Sequence, residues 1–294
     1  MTLPQPLEHR MVALMNRLWP DVAGSLKVHY ASGGSINEAA TLSMGGRQIF
    51  VKWNDAGRYP GMFEAEALGL QLLADPGQSL VPAVLEQGEA GHVSYLALEY
   101  VVPGSAGRES GERFGEMLAN LHRNTSAAFG LEHNNYMGSL PQRNAWHQHW
   151  NDFFISERLV PQLRIARDEG SLSAGDSRAF DQLFRRLPEI IPEEPPALVH
   201  GDLWSGNYLS GAGDRTWLVD PAVAYGHREV DIAMSKLFGG FPAAFYRSYN
   251  DHFPLQKGWE TRLEIFQLYP LLIHVNLFGG GYVHSVRQIL EKFR

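Results

Sequence analysis

Residues 197–231 read ALVHGDLWSGNYLSGAGDRTWLVDPAVAYGHREVD, and how they are read decides the fold. His200-Gly201-Asp202 is followed by Asn207, five residues after the aspartate, and then by Asp220 at the end of an apolar run. Two carboxylates and an amide oxygen at this spacing suit the transfer of a γ-phosphoryl group. That reaction needs a carboxylate near the acceptor hydroxyl and hard oxygen ligands that hold magnesium against the phosphates. Asp202 fits the first role, and Asn207 and Asp220 fit the second. Thr216 to Val219 reads as a strand that delivers Asp220 to its end, with the glycine-rich Ser210 to Asp214 turning between two short strands. Asp and Asn also cap turns for local reasons, but four polar positions that agree in type and spacing favour the chemistry.

The same order occurs in the protein-kinase catalytic loop, H-R-D-L-x-x-x-N, followed on the next hairpin by a metal-binding aspartate. Here Gly201 replaces the arginine, and Asp220-Pro221-Ala222 stands where a protein kinase has D-F-G. Upstream, residues 47–53, RQIFVKW, alternate as a strand and place Lys52 where the V-A-I-K lysine contacts phosphates and pairs with a helix glutamate. FEAEALGLQLL, Phe63 to Leu73, is a helical run with Glu64 and Glu66 near its start. Glu66 is the expected partner, because its spacing from Leu68, Leu70, Leu72 and Leu73, read as the core face, turns it inward. Leu26 to Leu42 reads as strand, turn and strand. Glycines in that turn would let backbone N–H groups approach phosphate oxygens as a nucleotide loop does. An ordinary hairpin competes with this reading, because G-x-G-x-x-G is absent. Val93 to Val102 is a further strand; in a kinase it leads into the interlobe hinge, where backbone around Glu99 and Val101 would hydrogen-bond adenine. The expected fold is α+β and protein-kinase-like, with two lobes. A small β-rich nucleotide-binding lobe with one key helix spans 1–102, and a larger, mainly helical catalytic and substrate-binding lobe spans 103–294.

Composition sets the bounds. The chain of 294 residues carries a net charge of −7 and a sequence pI near 5.9. Nucleic acid and anionic membrane surfaces usually demand a basic patch, so neither is the expected partner. Without cysteine there is no disulfide or thiolate chemistry. MTLPQPLEHR lacks the basic start and apolar run of a signal peptide. Leu268 to Val283 is apolar but broken by Pro270, His274, Asn276 and glycines, too polar and short to span a bilayer. A cytoplasmic protein is expected.

The remaining segments read mostly as helices. His9 to Trp19 ends at Pro20, Gly111 to Arg123 carries a structural His122, and Trp150 to Leu163 has helical spacing up to Pro161. Another helix covers 178–187 before the proline-rich approach to the catalytic loop. Leu263 to Phe278 is a helix kinked or restarted near Pro270, and the last amphipathic helix runs from Val283 to Phe293. His147, His149 and Asp152 do not make a metal site, because the two histidines would lie on different faces of a helix. Asp231 opens a helix as an N-cap and could also accept hydrogen bonds from catalytic-loop backbone; His200 is likewise expected to be structural. His274 and Asn276, polar in an apolar helix, are candidates for lining a substrate pocket, with core hydrogen bonding as the alternative.

HGDLWSGN and DPAVAYGHREVDIAMSKLFGGFP, with GGSINEA, VKW and MFEAEALGL, resemble the fructosamine kinase (ketosamine 3-kinase) family. The likeness extends from about residue 28 into FQLYPLLIHVNLFGGGY and covers most of the chain. Trp204 and the segment from GHREVD to FGGFP set it apart from aminoglycoside and choline kinases, which share HGD-x-x-x-x-N. The resemblance implies ATP- and Mg2+-dependent phosphorylation of the sugar O3 of ketosamines, free or protein-bound. The product would break down and release the amine, a deglycation repair. It implies Asp202 as base, Asn207 and Asp220 as magnesium ligands, and Lys52 with Glu66 as the phosphate-positioning pair. It also implies that Gly33, Gly34, Ser35 and Asn37 lie over the nucleotide, and Trp204 against the sugar. Some relatives carry a redox-active cysteine in the glycine loop; Ser35 stands there in this chain, so no disulfide switch is expected. A kinase for another small alcohol and a nucleotide-binding pseudokinase remain the alternatives.

Overall fold

The computed structural model describes residues 2–31, 36–74, 81–105, 107, 109–211 and 215–293. They form two compact units: Met1–Ser105 with Leu209–Val219, and Ala106–Tyr208 with Asp220–Arg294.

The first unit is built on a five-stranded antiparallel sheet. Its strands are β1 (Lys27–Tyr30), β2 (Glu38–Met44), β3 (Arg47–Asp55), β4 (Val84–Ala90) and β5 (Val93–Glu99), in the order β1-β2-β3-β5-β4. Alternation along β3 decides what each face does. Ile49, Val51 and Trp53 point into a core closed by helix α1 (Gln5–Leu18) through Leu7, Met11, Leu14 and Met15. Each such buried side chain contributes about 1.5–3 kcal/mol. Lys52 and Asn54, on the opposite face, are also buried. Helix α2 (Met62–Leu73) packs there, burying Met62, Phe63, Ala65, Ala67, Leu70 and Leu73. Leu68 and Leu72, read from the sequence as core, are 39% and 41% exposed. The buried positions instead include the small Ala65, Ala67 and Gly69 beside Leu70 and Leu73.

The second unit is mainly helical. Helix α3 (Ser110–Leu121) lies against a later helix, residues 243–252, so closely that a Cβ on Gly115 would collide with the Phe245 carbonyl. The strands β6 (Asn135–Met137) and β7 (Leu140–Gln142) form a tight hairpin. Helix α4 (Trp150–Phe153) then passes through a π-helical segment, Phe154–Leu159, into α5 (Val160–Asp168). The sequence places the end of this helix at Pro161, yet the helix continues. Val160 N–H reaches back to Ile155 in the π-turn, and Pro161 then sits in the opening turn of α5, where no N–H is needed.

Helix α6 (Ala174–Ile190) is longer at both ends than the sequence indicates. A capping box of Ser173 and Asp176 starts it, and Pro188 lies within its last turn. Strand β8 (Ala197–Val199) leads into the catalytic-loop motif and β11 (Ala224–Gly226) returns antiparallel to it, while the intervening β9 (Tyr208–Ser210) and β10 (Thr216–Leu218), which pair with each other, fall almost wholly in the segment Leu209–Val219 of the first unit. Helices α7 (Glu229–Leu237), α8 (Ala243–His252), α9 (Trp259–Phe278) and α10 (Gly281–Lys292) complete the second unit. Contrary to the expected kink, α9 runs through Pro270 as one helix. It is buried along most of its length, and that burial outweighs the roughly 3 kcal/mol an interior proline costs. Among the described residues no helix is long and apolar enough to cross a membrane.

Candidate active site

In the second unit the β8–β11 pairing brings the two ends of the catalytic motif together. Ala222 N–H donates to His200 O at 2.9 Å, closing the loop that begins at His200 onto the segment after Asp220. Gly201 makes this approach possible. Its φ is +84°, and any Cβ would collide with the Ala222 carbonyl, which explains why this chain cannot carry the protein-kinase arginine here.

The loop is held from beneath by Asp231. Its Oδ2 accepts from His200 N–H at 2.7 Å and its Oδ1 from Gly201 N–H at 2.8 Å. His122 Nε2 bonds the same Oδ2 at 3.1 Å, while Tyr249 bonds His122 Nδ1 at 2.8 Å. Burial alone would raise the Asp231 carboxyl, but the His122 hydrogen bond and the Gly201 amide hold it below its ordinary value. An ionised, buried acceptor therefore shapes the loop. The His200 side chain is buried too, and its Nδ1 accepts from Asp202 N–H at 3.3 Å.

Asn207 Nδ2 donates to Asp202 O at 2.9 Å and to Asp202 Oδ2 at 3.0 Å. This leaves the Asn207 carbonyl oxygen as the group's own acceptor. Burial and the charge of Asp220 push the Asp202 carboxyl up to about 7, against the Asn207 hydrogen bond, and Asp231 adds to the rise. A carboxyl near neutrality can accept a proton at working pH. The mutual repulsion of Asp202 and Asp220 also marks a place that a cation would neutralise, and the donors are hard oxygens of the kind magnesium takes. Asp220 has φ +55°, the only non-glycine residue with positive φ among the described residues.

Trp204, two residues past Asp202, is 37% exposed and meets Phe238 edge-on at 6.3 Å. Phe238 contacts His274 at 4.8 Å, and His274 contacts Phe278 at 5.5 Å and Tyr282 at 4.9 Å. Trp204 and His274, far apart in sequence, thus belong to one aromatic wall. Asn276 does not join it. Its Nδ2 donates to Gln162 O at 3.1 Å and Oε1 at 2.8 Å, tying α9 to α5.

In the first unit Lys52 Nζ meets both oxygens of Glu66, at 2.7 and 2.8 Å, with both side chains largely buried. Glu66 rather than Glu64 is therefore the partner. Glu99 N–H donates to Ala83 O at 2.9 Å, so any further contact from its backbone would use its carbonyl; Val101 lies just beyond β5. Asn37 Oδ1 accepts from Asn54 Nδ2 at 2.8 Å, a buried link that also takes in Ser94. Gly33, Gly34 and Ser35 lie outside the described residues.

His147 Nε2 bonds Glu157 Oε1 at 3.1 Å. Among the described residues the group that could hold a metal by proximity is Glu194, His227 and Glu229, but Arg228 and Arg262 grip its two carboxylates bidentately. It is an ion-pair network.

The family model described as fructosamine kinase matches residues 13–294. The chain belongs to the fructosamine kinase family. It is accordingly a kinase, a phosphotransferase that uses ATP. A Synechocystis protein named a probable ketoamine kinase is 41% identical over 262 residues, covering 89% of this chain and 88% of that one. An Arabidopsis thaliana protein named protein-ribulosamine 3-kinase, chloroplastic, is 36% identical, covering 91% and 82%. A crystal structure from Thermobifida fusca, titled as a candidate fructosamine-3-kinase, superposes with a TM-score of 0.82 at 37% identity, over 92% of this chain and 94% of that one. An aminoglycoside phosphotransferase, at 15% identity and a TM-score of 0.62 over 95% and 98%, shares the fold. The protein-kinase-like fold expected for the chain is thus the one it has.

Sequence reasoning assigned His122 to structure without seeing its bond to Asp231, and it passed over Tyr249, Asn135, Gln142 and Tyr269. A buried histidine on an otherwise apolar helix face was the signal available for His122. The others carry no periodicity or spacing that marks them.

Proposed function

We propose that this fructosamine kinase family member phosphorylates the O3 hydroxyl of ketosamines, the adducts of sugars with amines, using ATP and Mg2+. The observation that carries the reading is the Asp202 loop, pinned by Asp231 and bonded through Asn207. It offers a carboxyl near neutral pKa two residues from an exposed aromatic side chain. The acceptor oxygen attacks the γ-phosphorus, the bond to the β-phosphate oxygen breaks, and ADP leaves. The hydroxyl proton passes to Asp202. Asn207 and Asp220 are the residues that would hold magnesium, which when bound offsets phosphate charge.

Lys52, fixed by Glu66, would orient the α- and β-phosphates, and Gly33, Gly34, Ser35 and Asn37 would cover them, with backbone around Glu99 and Val101 facing adenine. The first unit is then the nucleotide lobe and the second the catalytic and substrate lobe. The wall of Trp204, Phe238, His274, Phe278 and Tyr282 suits the apolar face of a sugar and the cationic amine of the adduct. The 3-phosphate breaks down and frees the amine, so the reaction is deglycation. Its dependence on ATP supports a cytoplasmic site of action.

The test is magnesium-dependent ADP release with ribulosyllysine, fructosyllysine, kanamycin and choline in parallel. Turnover with a ketosamine alone is expected. Turnover with kanamycin or choline alone would transfer the same residues to another alcohol.

A further inference from the structure

Asp220 carries a left-handed backbone that a non-glycine residue adopts only when its surroundings over-determine it. Two buried amides hold the backbone two and three residues on. Gln142 Nε2 donates to Ala222 O at 3.1 Å, and Asn135 Nδ2 donates to Val223 O at 2.9 Å. Both come from the β6–β7 hairpin, which has no other place in the chemistry.

The orientation of these amides is dictated step by step. Arg158 can only donate, so the atom it meets at 2.6 Å is the oxygen of Asn144. The Asn144 nitrogen then donates to Asn135 Oδ1 at 3.0 Å, which turns the Asn135 nitrogen toward Val223. From the other side the Tyr269 hydroxyl donates to Gln142 Oε1 at 2.8 Å, leaving the Gln142 nitrogen for Asn135 Oδ1 at 2.8 Å and for Ala222 O. Burial raises Tyr269 to about 12, so it stays a donor. All five side chains are buried, and a fully satisfied buried network rigidifies what it holds.

We propose that Gln142, oriented by Tyr269 and Asn135, is a positioning residue that sets the place of Asp220 through the Ala222 carbonyl. This rests on the reading of Asp220 as a magnesium ligand. Partners one step behind a ligand typically change metal affinity when removed.

The experiment uses Mn2+ as probe. Its binding to the full chain in the presence of ADP is followed by electron paramagnetic resonance, alongside the Mg2+ dependence of kcat and thermal unfolding, for Gln142→Leu and Tyr269→Phe. The expected result is a half-saturating Mn2+ concentration raised roughly 10-fold in both, the lower end of the effect of removing a group bonded directly to a ligand, because Gln142 acts through the backbone of Ala222. The Mg2+ requirement should shift equally, with the acceptor KM unchanged. Parental Mn2+ binding in the folded variants, even with a lower Tm, would overturn the proposal and leave the network a packing device. If Gln142→Leu does not fold, Tyr269→Phe decides, since it keeps the ring stacked near Arg158 and removes one hydroxyl. Binding needs no acceptor, so the result is independent of which alcohol is phosphorylated. Absence of Mn2+ binding by the unaltered protein would instead overturn the magnesium reading beneath it.

Discussion

At Gly201 two demands meet on one residue: a left-handed backbone and contact with the Ala222 carbonyl. Gly201→Ala should therefore destabilise the chain by about 3 kcal/mol or more, read by urea unfolding, because both strain and collision act against it. A change below about 0.5 kcal/mol, the range of indifferent surface sites, would show that the loop can relax. Asp202 makes the contrasting case. Asp202→Ala should lower kcat by roughly 10²- to 10⁴-fold, the span of general-base contributions, while ATP still binds. Unchanged turnover would remove Asp202 from the chemistry. Both residues were legible in the sequence, one as a departure from a motif and the other as its centre. The Ala222 contact was not, because a close approach between strands of different hairpins leaves no periodic trace.

Among elements, the strands of the five-stranded sheet and the start of the catalytic motif were legible, and the β6–β7 hairpin and the helix ends near prolines were not. Pro161 and Pro188 read as stops and Pro270 as a kink or restart, and the chain continues helical through each. Proline rules describe local cost, whereas a buried helix answers to its whole packed face. Helix α6 shows what a local signal does well. Its Ser173–Asp176 capping box is joined by Arg287 of α10, which bonds Asp176 at 2.8 and 2.9 Å. That hydrogen bond, with those of Ser173, holds the Asp176 carboxyl well below its usual range despite burial. A depressed folded pKa gives stability that is present above the unfolded value near 4 and lost as pH falls through the folded one. Asp176→Asn should accordingly lower Tm at pH 7, and the gap to the parent should narrow as pH falls from 4 toward 2. A gap that stays constant over that range would mean the cap works without its charge.

At the scale of the molecule, sequence made the kinase-like class and the site motif readable, because chemistry fixes residue type and spacing there. The networks that support the site were hidden, since buried Asn, Gln, Tyr and His answer only to three-dimensional neighbours. Two buried titrations in the second unit oppose each other. His227 lies among Glu194, Arg228, Glu229 and Arg262, and burial lowers it to about 4. Unfolded it binds a proton near 6.5, so between pH 6.5 and 4 acid favours unfolding. Asp202, at about 7 when folded, binds its proton before the unfolded chain does, so over nearly the same window acid favours folding. Each slope reaches about 1.4 kcal/mol per pH unit, and with opposite signs they nearly cancel. Glu194, lowered, and Glu229, raised, likewise act with opposite signs. Metal-free parent protein should thus show a Tm almost flat between pH 4.5 and 6.5. Asp202→Asn removes one side of the balance, and its Tm should climb by roughly 2 °C or more per pH unit across that window. The variant should also exceed the parent most clearly at pH 8, where the buried carboxylate is charged and repelled by Asp220. Parallel Tm curves for the two proteins would show that Asp202 titrates as an ordinary carboxylate, and its fitness as a base at neutral pH would have to come from bound substrate.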